Sequence, residues 1–311
     1  MAGKLKSLVR LLRVRQWYKN AVVLVGPIFA GRLFDFTIYA PVILGVALCC
    51  GASSFNYVVN DLLDLDSDRA HPEKAKSRPL ASGDLPVVAG VLLAVALLAF
   101  SVGVPLVIGS VPVLVVVFLI VGTGQLYNFV LKHHAFVDVI TLAMIYIWRA
   151  VLGCYIVEIF PSPWLFVEIF LVALFLVVCK RKADLDLLGE AAGEHKRVYR
   201  KYDETLLNQL ITVISSALFI TYCLYAILGP FEGADGTEVV QNKTVMIFSI
   251  PFALYMIMRY LSLLATQPEV ARRPERAFLD RGLLIGGSCL LVVVLAALYI
   301  DPQFFSIFYV V

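Results

Sequence analysis

The chain contains nine apolar runs of about 17 to 25 residues, and this repetition limits what it can fold into. A helix that crosses about 30 Å of hydrocarbon needs about 20 mostly apolar residues. Only 16% of the residues are charged and 60% are hydrophobic, whereas about 25% are charged in soluble domains. The sequence therefore predicts an all-α bundle of nine transmembrane helices. The runs lie at residues 18–34, 38–59, 86–104, 106–130, 136–157, 163–179, 207–228, 244–265 and 283–300.

Lysine and arginine residues are distributed unevenly between the predicted loops. With the N-terminus inside, 22 of the 26 lie on the cytoplasmic side, and only Arg32 and Lys243 lie outside. Cytoplasmic loops of membrane proteins carry such an excess of basic residues. We therefore expect a multi-pass protein of the cell membrane whose functional loops face the cytoplasm. Since membrane topology explains the basic clusters, they do not indicate a nucleic-acid partner.

The polar segments are short, so the whole chain, residues 1–311, is predicted to form one membrane domain. Residues 1–17 are expected to be a basic amphipathic lead-in at the cytoplasmic surface. Two cytoplasmic loops, residues 60–85 and 180–206, hold most of the acidic and basic groups together. Because both loops face the same compartment, we expect one functional site to use both. The sequence is also compatible with a homo-oligomer.

Four aspartates occur within eight residues at the end of the second apolar run. If the helix continues through them, Asp61, Asp64 and Asp68 lie on one face, while Asp66 points away. Clustered carboxylates repel one another unless a cation lies among them. Oxygen ligands without nearby His or Cys favour Mg²⁺, which typically connects one or two carboxylates to substrate phosphates. The sequence thus predicts a magnesium site, with Asn60 beside it, for a diphosphate. The alternative is a solvated acidic loop.

The pattern Asn60-Asp61-x-x-Asp64-x-x-x-Asp68 resembles the first aspartate-rich motif of the UbiA prenyltransferase superfamily. This resemblance implies a helical bundle whose cavity opens to the cytoplasm and to lipid, with magnesium and diphosphate at the motif. Four further motifs resemble the branch that moves phosphoribose from phosphoribosyl diphosphate to a polyprenyl (decaprenyl) phosphate. They are Arg13-x-Arg15-Gln16-Trp17-Tyr18-Lys19-Asn20, Asp68-Arg69-x-His71-Pro72, Lys132-His133-x-x-x-x-Asp138 and Lys180-Arg181-x-x-Asp184-Leu185.

The second loop departs from the superfamily pattern. Members that bind an isoprenyl diphosphate usually have a second Asp-x-x-x-Asp motif there, and the nearest approximation here is Asp186 to Glu190. The loop instead begins with three cations, Lys180 to Lys182. Lys and Arg bind phosphate oxygens through charge-assisted hydrogen bonds, which suits a donor with an additional phosphate. The alternative is that these cations only anchor a cytoplasmic helix end.

The resemblance also implies substrate-binding residues. Lys19, Lys180 and Arg181 are expected to hold phosphates. The remaining expected substrate contacts are Asn60, Arg78, Tyr127, Asn128 and Asp184. For the polar groups at the end of the fourth span, hydrogen bonding between helices is an equally good explanation.

Arg149 and Arg259 lie within predicted spans, where an isolated charge is costly and must face the protein interior or water. Both are therefore candidates for the site. The alternative is structural pairing with a buried carboxylate such as Glu158 or Glu168.

These observations predict a magnesium-dependent phosphoribosyltransferase that acts on a polyprenyl phosphate and releases diphosphate. In the branch it resembles, the product feeds arabinan and arabinogalactan synthesis for the cell wall. The first alternative is an aromatic-ring polyprenyltransferase of the same fold, which should show a clearer second aspartate motif. A transporter is the second alternative, but its ionisable groups should lie near the bilayer midplane and not on two loops.

Overall fold

The computed structural model is helical, with short connections between the helices, in the residues that it describes. The described residues are 2–70, 74–189, 197–228, 243–301 and 304. The α-helices in chain order are α1 Ala2–Leu11, α2 Val25–Phe29, α3 Tyr39–Leu63, α4 Leu65–Ala70, α5 Lys74–Ser77, α6 Val87–Val107, α7 Val111–Phe129, α8 Val137–Tyr155, α9 Pro163–Leu188, α10 Glu204–Leu228, α11 Lys243–Ile247, α12 Ile250–Thr266, α13 Pro268–Ala271, α14 Pro274–Ala277 and α15 Arg281–Tyr299. Short 3₁₀ helices occur at Val14–Leu24, Phe36–Ile38, Leu131–His133 and Arg197–Lys201.

Within the described residues, eight helical stretches are long and apolar enough to cross a membrane. This confirms the prediction of an all-α, multi-pass protein. The stretches are Phe36–Leu63, Val87–Val107, Val111–Phe129, Val137–Tyr155, Pro163–Leu187, Glu204–Leu228, Thr244–Thr266 and Arg281–Tyr299.

The first predicted span, residues 18–34, is not one of these helices. The chain forms the 3₁₀ helix Val14–Leu24 here, followed by the five residues of α2. Pro27 accounts for the break after Leu24, because its ring would clash with the carbonyl of Val23 in a continuous α-helix. The prediction of nine spanning helices is therefore not confirmed.

The 3₁₀ helix Val14–Leu24 runs antiparallel to α3. Trp17 Nε1 donates to Ser54 Oγ at 3.1 Å, and Asn20 Nδ2 donates to Cys50 Sγ at 3.1 Å. A 3₁₀ helix rises about 2.0 Å per residue, so its eleven residues cover about 22 Å. The five residues of α2 add about 8 Å. The summed lengths equal about the thickness of the hydrocarbon core, but neither piece is a regular transmembrane helix.

Gly153 allows α8 to approach this 3₁₀ helix closely. A Cβ atom at position 153 would overlap the carbonyl oxygen of Val23. By contrast, the Cβ position of Gly103, a glycine within α6, has open space around it. The two glycines therefore form a matched pair, since both are helical and only one is in close backbone contact.

We expect Gly153→Ala to lower the thermal unfolding midpoint of the detergent-solubilised protein, and Gly103→Ala to leave it unchanged or slightly raised. Overpacking typically costs about 1–3 kcal/mol, whereas Gly→Ala in an unobstructed helix is favourable by about 0.5–1 kcal/mol. Intrinsic fluorescence during heating would measure both midpoints. If Gly153→Ala unfolds no earlier than Gly103→Ala, the close contact with Val23 is wrong.

The chain divides into two compact units. The first contains Met1–Pro27, Asp35–Val130 and Trp148–Ile159, and the second contains Ile28–Phe34, Leu131–Ile147 and Phe160–Val311. In the first unit α3 packs against α6 and α7. In the second unit α9 packs against α10, and α12 packs against α15. The first unit thus carries the aspartate-rich motif, and the second carries the cations that begin at Lys180.

Candidate functional site

The aspartate-rich motif lies where α3 ends and α4 begins. The amide of Asp64 donates to the carbonyl of Asn60 at 3.0 Å, and that of Asp68 to Asp64 at 2.8 Å, so the helical path continues. Asp61 and Asp68 are 4% and 1% exposed, and Asp64 is half-buried. Asp66 is fully exposed. The three carboxylates at spacing i, i+3 and i+7 therefore share the buried side of the motif.

Two arginines neutralise the buried carboxylates. Arg78 Nη1 lies 2.7 Å from Asp61 Oδ1 and 2.6 Å from Asp68 Oδ2. Arg13 Nη2 donates to the same oxygen of Asp61 at 2.7 Å. One guanidinium nitrogen therefore bridges the two buried carboxylates.

Arg13 reaches Asp61 from an uncommon backbone conformation. Its φ is 52° and its ψ is 44°, in the left-handed region that residues with a side chain rarely adopt. Such a conformation costs of order 1–3 kcal/mol and persists only where surrounding contacts determine it. Here the guanidinium donates to Asp61, and its Cζ lies 4.6 Å from the centre of the Tyr57 ring. These contacts hold Arg13 in place beside the motif.

Lys19 lies on the 3₁₀ helix that follows Arg13. Its Nζ donates to Gln16 Oε1 at 3.1 Å, and the Tyr57 hydroxyl donates to the same oxygen at 3.2 Å. The ammonium also lies 5.9 Å from the centre of the Tyr18 ring. Since Tyr57 contacts both Gln16 and Arg13, a continuous row of polar groups connects Lys19 with the aspartates.

The polar groups near the end of α7 connect α7 to α3. Asn128 is buried and donates from Nδ2 to the carbonyl of Asn56 at 3.1 Å. Gln125 Nε2 donates to Asn56 Oδ1 at 2.6 Å, and Asn56 Nδ2 donates to the carbonyl of Ile120 at 3.0 Å. These are the helix–helix hydrogen bonds that the sequence offered as an alternative to substrate contact. Tyr127 is half-buried.

In the second unit, Arg181 is part of a buried ion pair. Its Nη2 donates to Asp138 Oδ2 at 2.6 Å, and the two side chains are 4% and 0% exposed. The Tyr202 hydroxyl donates to the other oxygen of Asp138 at 2.8 Å. Burial raises the pKa of Tyr202 to about 12, so its hydroxyl keeps the proton that it donates. Arg181 thus fixes the start of α8 to α9.

Asp184 forms a second buried group one turn further along α9. Its Oδ1 accepts from Arg272 Nε at 2.6 Å, and its Oδ2 accepts from the Tyr199 hydroxyl at 2.6 Å. Burial raises the pKa of Tyr199, whose ring also lies under Arg181 with Cζ 4.6 Å from the ring centre. Tyr199 and Tyr202, in and beside the 3₁₀ helix Arg197–Lys201, are therefore held by Asp184 of α9 and Asp138 of α8.

The lysines beside Arg181 have different surroundings. Lys180 is exposed. Lys182 Nζ contacts Asp186 Oδ1 at 2.7 Å and Glu204 Oε1 at 3.0 Å, so it connects α9 to α10. Asp186, the first residue of the weak second aspartate pattern, is thus occupied by an ion pair. Glu190 lies outside the described residues, as do His71 and Pro72.

The two arginines within spans have described partners. Arg149 is buried and donates from Nη2 to Ser53 Oγ at 3.3 Å. Arg259 pairs with Asp280 through Nε and Nη2, at 2.9 and 2.8 Å. The hydrogen bond from Arg259 lowers the pKa of Asp280 to about 2. Asp280 also accepts from the amide of Leu283 at the start of α15. Arg259 therefore stabilises a helix end, through a different carboxylate from the two considered in the sequence.

Sequence reasoning did not single out several residues of these networks. Arg13 and Asp138 lie in quoted motifs, but nothing in the sequence identified their partners. Arg272 and the two tyrosines carried no signal, because a tyrosine or a loop arginine is common in any membrane protein. Their roles follow from contacts between residues that are far apart in the chain, such as the 88 residues that separate Arg272 from Asp184.

The donor atoms of the first motif fit a hard divalent cation. Among the described residues, no group of three or more His, Cys, Asp or Glu side chains is arranged to hold a metal ion. The carboxylates of Asp61 and Asp68 nevertheless both contact one nitrogen of Arg78. Asp64 lies between these two residues in the chain, and its backbone continues the helical hydrogen bonding. Carboxylate oxygens are the ligands that Mg²⁺ prefers. Asp61, Asp64 and Asp68 therefore have the chemistry of such a site.

Comparisons with known proteins bear on the whole chain. The sequence pattern of the UbiA prenyltransferase family matches residues 21–279. A decaprenyl-phosphate phosphoribosyltransferase from Corynebacterium glutamicum is 30% identical over 307 residues, which cover 96% of this chain and 88% of that protein. One from Mycobacterium tuberculosis is 30% identical over 264 residues, 83% of each chain. A UbiA homologue from Archaeoglobus fulgidus, solved with GPP and Mg²⁺, has a similar fold, with a TM-score of 0.64 and 17% sequence identity. The match covers 94% of this chain and 99% of that one.

Proposed function

The chain belongs to the UbiA prenyltransferase family, and from this premise we propose that it moves 5-phosphoribose from phosphoribosyl diphosphate to a polyprenyl phosphate. In general terms, the protein is a multi-pass membrane transferase. The relatives named as decaprenyl-phosphate phosphoribosyltransferases support the specific reaction, since they are similar over most of their length. We further propose that decaprenyl phosphate is the acceptor, that the site faces the cytoplasm, and that the product serves arabinogalactan synthesis.

A contrast between the two acidic regions supports this donor. In the first unit, one nitrogen of Arg78 contacts both Asp61 and Asp68, and Arg13 contacts Asp61 as well. In the second unit, Asp138 and Asp184 are buried, and each is held by an arginine of its own. A second metal site for an isoprenyl diphosphate would need carboxylates that are available to a metal. Lys180, at the start of this region, is exposed, and its charge suits an additional phosphate.

The proposed mechanism is activation of the leaving group. Asp61, Asp64 and Asp68, helped by Asn60, would hold a magnesium ion, whose charge would stabilise the departing diphosphate. The bond between the anomeric carbon and the diphosphate oxygen breaks, and an oxygen of the lipid phosphate bonds to that carbon. This phosphate is already anionic, so no side chain needs to remove a proton from it. Lys19 would hold the phosphates in position for attack.

The other candidate residues divide into two groups. We assign Tyr127 and Lys180 to contact with substrate, together with Arg78, whose side chain is 23% exposed although it contacts Asp61 and Asp68. Asn128, Arg181 and Asp184 already bind other side chains or backbone groups of the protein, so we assign them to positioning those groups. The polyprenyl tail would lie against the apolar outer surface of the spanning helices.

The reaction can be tested with the purified full-length protein in lipid nanodiscs. Incubation with labelled phosphoribosyl diphosphate, decaprenyl phosphate and Mg²⁺ should give a labelled lipid and free diphosphate. Parallel samples would contain an isoprenyl diphosphate and an aromatic acid. If only the second pair gives product, the aromatic prenyltransferase alternative is correct. If proteoliposomes accumulate the labelled donor and form no product, the protein is a transporter.

We expect Lys180→Ala to raise the donor KM about ten- to a hundredfold, with a smaller change in the acceptor KM. A charge-assisted hydrogen bond of about 1.5–3 kcal/mol has this effect on binding. Lys182→Ala is the matched control, because Lys182 is already paired with Asp186 and Glu204. Initial rates over a range of donor concentrations would give both constants. Wild-type donor kinetics in Lys180→Ala would show that Lys180 serves only as a topology anchor.

A further inference from the structure

Arg78 occupies the carboxylate oxygens that the proposed magnesium site would use. Its Nη1 lies 2.7 Å from Asp61 and 2.6 Å from Asp68, the distances of strong charge-assisted hydrogen bonds. The two carboxylates are almost fully buried, whereas the side chain of Arg78 is 23% exposed. Arg78 is therefore the shared counterion of two buried charges, and it is also within reach of solvent.

Two guanidinium groups contact the two buried carboxylates. Asp61 and Asp68 carry two negative charges, and Arg78 and Arg13 carry two positive charges in direct contact with them. A divalent cation that entered this group would lie beside two guanidinium groups, and like charges at such distances repel strongly where water is scarce. Binding of the cation is therefore opposed for as long as both arginines stay on the carboxylates.

The two arginines differ in how firmly they are held. Arg13 contacts Asp61 alone, and the Tyr57 ring and a left-handed backbone fix its position. Arg78 contacts both carboxylates through one nitrogen and follows the four-residue helix α5. Movement of the Arg78 side chain would break one contact with each carboxylate, and Arg13 alone would remain on the shared oxygen of Asp61. Movement of Arg13 would leave both contacts of Arg78 in place.

We propose that Arg78 is an exchangeable counterion that makes binding of the divalent cation depend on the donor diphosphate. When the cation binds Asp61 and Asp68, Arg78 leaves them and pairs with a phosphate of the donor. The cation and the diphosphate therefore bind cooperatively, and each raises the affinity of the other by the same factor. The cation alone binds weakly. This inference rests on the proposed magnesium site.

Binding of Mn²⁺ alone tests the exchange, with Mn²⁺ as a paramagnetic probe in place of Mg²⁺. Electron paramagnetic resonance would measure free Mn²⁺ during titration of the full-length protein in nanodiscs, without any phosphate compound. We expect Arg78→Gln to bind Mn²⁺ at least about tenfold more tightly than wild type, in the range typical of coupled sites. Arg13→Gln is the matched control and should give a smaller change, because Arg78 still holds both carboxylates.

Inorganic diphosphate tests the coupling. It should raise the affinity of wild type for Mn²⁺ at least about tenfold and that of Arg78→Gln much less. An Asp61→Asn, Asp68→Asn double variant gives the background from Mn²⁺ bound to diphosphate in solution. Mn²⁺ should also raise the thermal midpoint of Arg78→Gln more than that of wild type. If Arg78→Gln does not fold, Arg78→Lys decides, because an ammonium spans the two carboxylates less well, and it should bind Mn²⁺ alone more tightly than wild type.

The outcomes separate this inference from the proposed function. If wild type binds Mn²⁺ and the folded Arg78 variants bind it no more tightly, the exchange is wrong while the metal site stands. If Mn²⁺ binds neither wild type nor any variant, with or without diphosphate, the metal site and the exchange both fail. A wild type whose Mn²⁺ affinity is unchanged by diphosphate would also overturn the exchange.

Discussion

Asp61→Asn and Asp68→Asn are each expected to reduce turnover at least about a hundredfold. Loss of a single group that stabilises charge in a transition state typically costs this much. Asparagine keeps the shape of aspartate but removes the negative charge that a divalent cation needs. Asp64→Asn should have a similar effect, since Asp64 lies on the same helical path. Initial rates of labelled-lipid formation at saturating substrate would measure the loss.

Asp66→Asn is the matched control for this series. The side chain of Asp66 is fully exposed and its described ion pair, with Arg69, is long at 3.8 Å. Surface ion pairs of this kind contribute about 0–1 kcal/mol, so we expect turnover close to that of wild type. Equal losses at Asp66 and Asp61 would contradict the assignment by helical face. Full activity in EDTA would contradict the magnesium proposal for the whole motif.

Arg181→Ala is expected to destabilise the protein by about 3–5 kcal/mol. This is the usual cost of removing one partner from a buried ion pair, because the other charge is left uncompensated. Here that charge is Asp138, whose side chain is 0% exposed. The thermal unfolding midpoint in detergent should fall sharply, and the folded fraction after purification should fall with it.

Two further variants give this prediction its control and its rescue. Lys180→Ala changes an exposed neighbouring cation and should leave the midpoint unchanged. Adding Asp138→Asn to Arg181→Ala removes the stranded charge and should recover part of the lost stability. If Arg181→Ala is as stable as wild type, the buried pair is not a structural element, and a direct role in phosphate binding becomes the better explanation for Arg181.

The helical content of the fold could be predicted from the sequence because length and composition determine it. Eight of the nine apolar runs overlap a helical stretch of spanning length. The exception, residues 18–34, shows the limit of a hydropathy argument. Composition cannot distinguish an α-helix from a 3₁₀ helix, and Pro27 affects the backbone hydrogen bonds and not the hydropathy. The orientation of the loops relative to the membrane stays a prediction.

The candidate site could be predicted only where its geometry is local. The spacing of Asp61, Asp64 and Asp68 placed them together because a helix has a fixed period. The partners of these residues could not be predicted, since Arg13 is 48 positions away from Asp61 along the chain. For the same reason the sequence could not show that Arg181 is bound by a carboxylate 43 positions away.

The 3₁₀ helix Val14–Leu24 has a consequence for how the chain enters the bilayer. Runs of 3₁₀ helix longer than three or four residues are uncommon because their hydrogen-bond geometry is poor. Lipid offers no substitute partners for the backbone. Side-chain bonds from Trp17 and Asn20 to α3 hold this stretch in place. We therefore expect this segment to integrate stably only once α3, which is synthesised after it, is present.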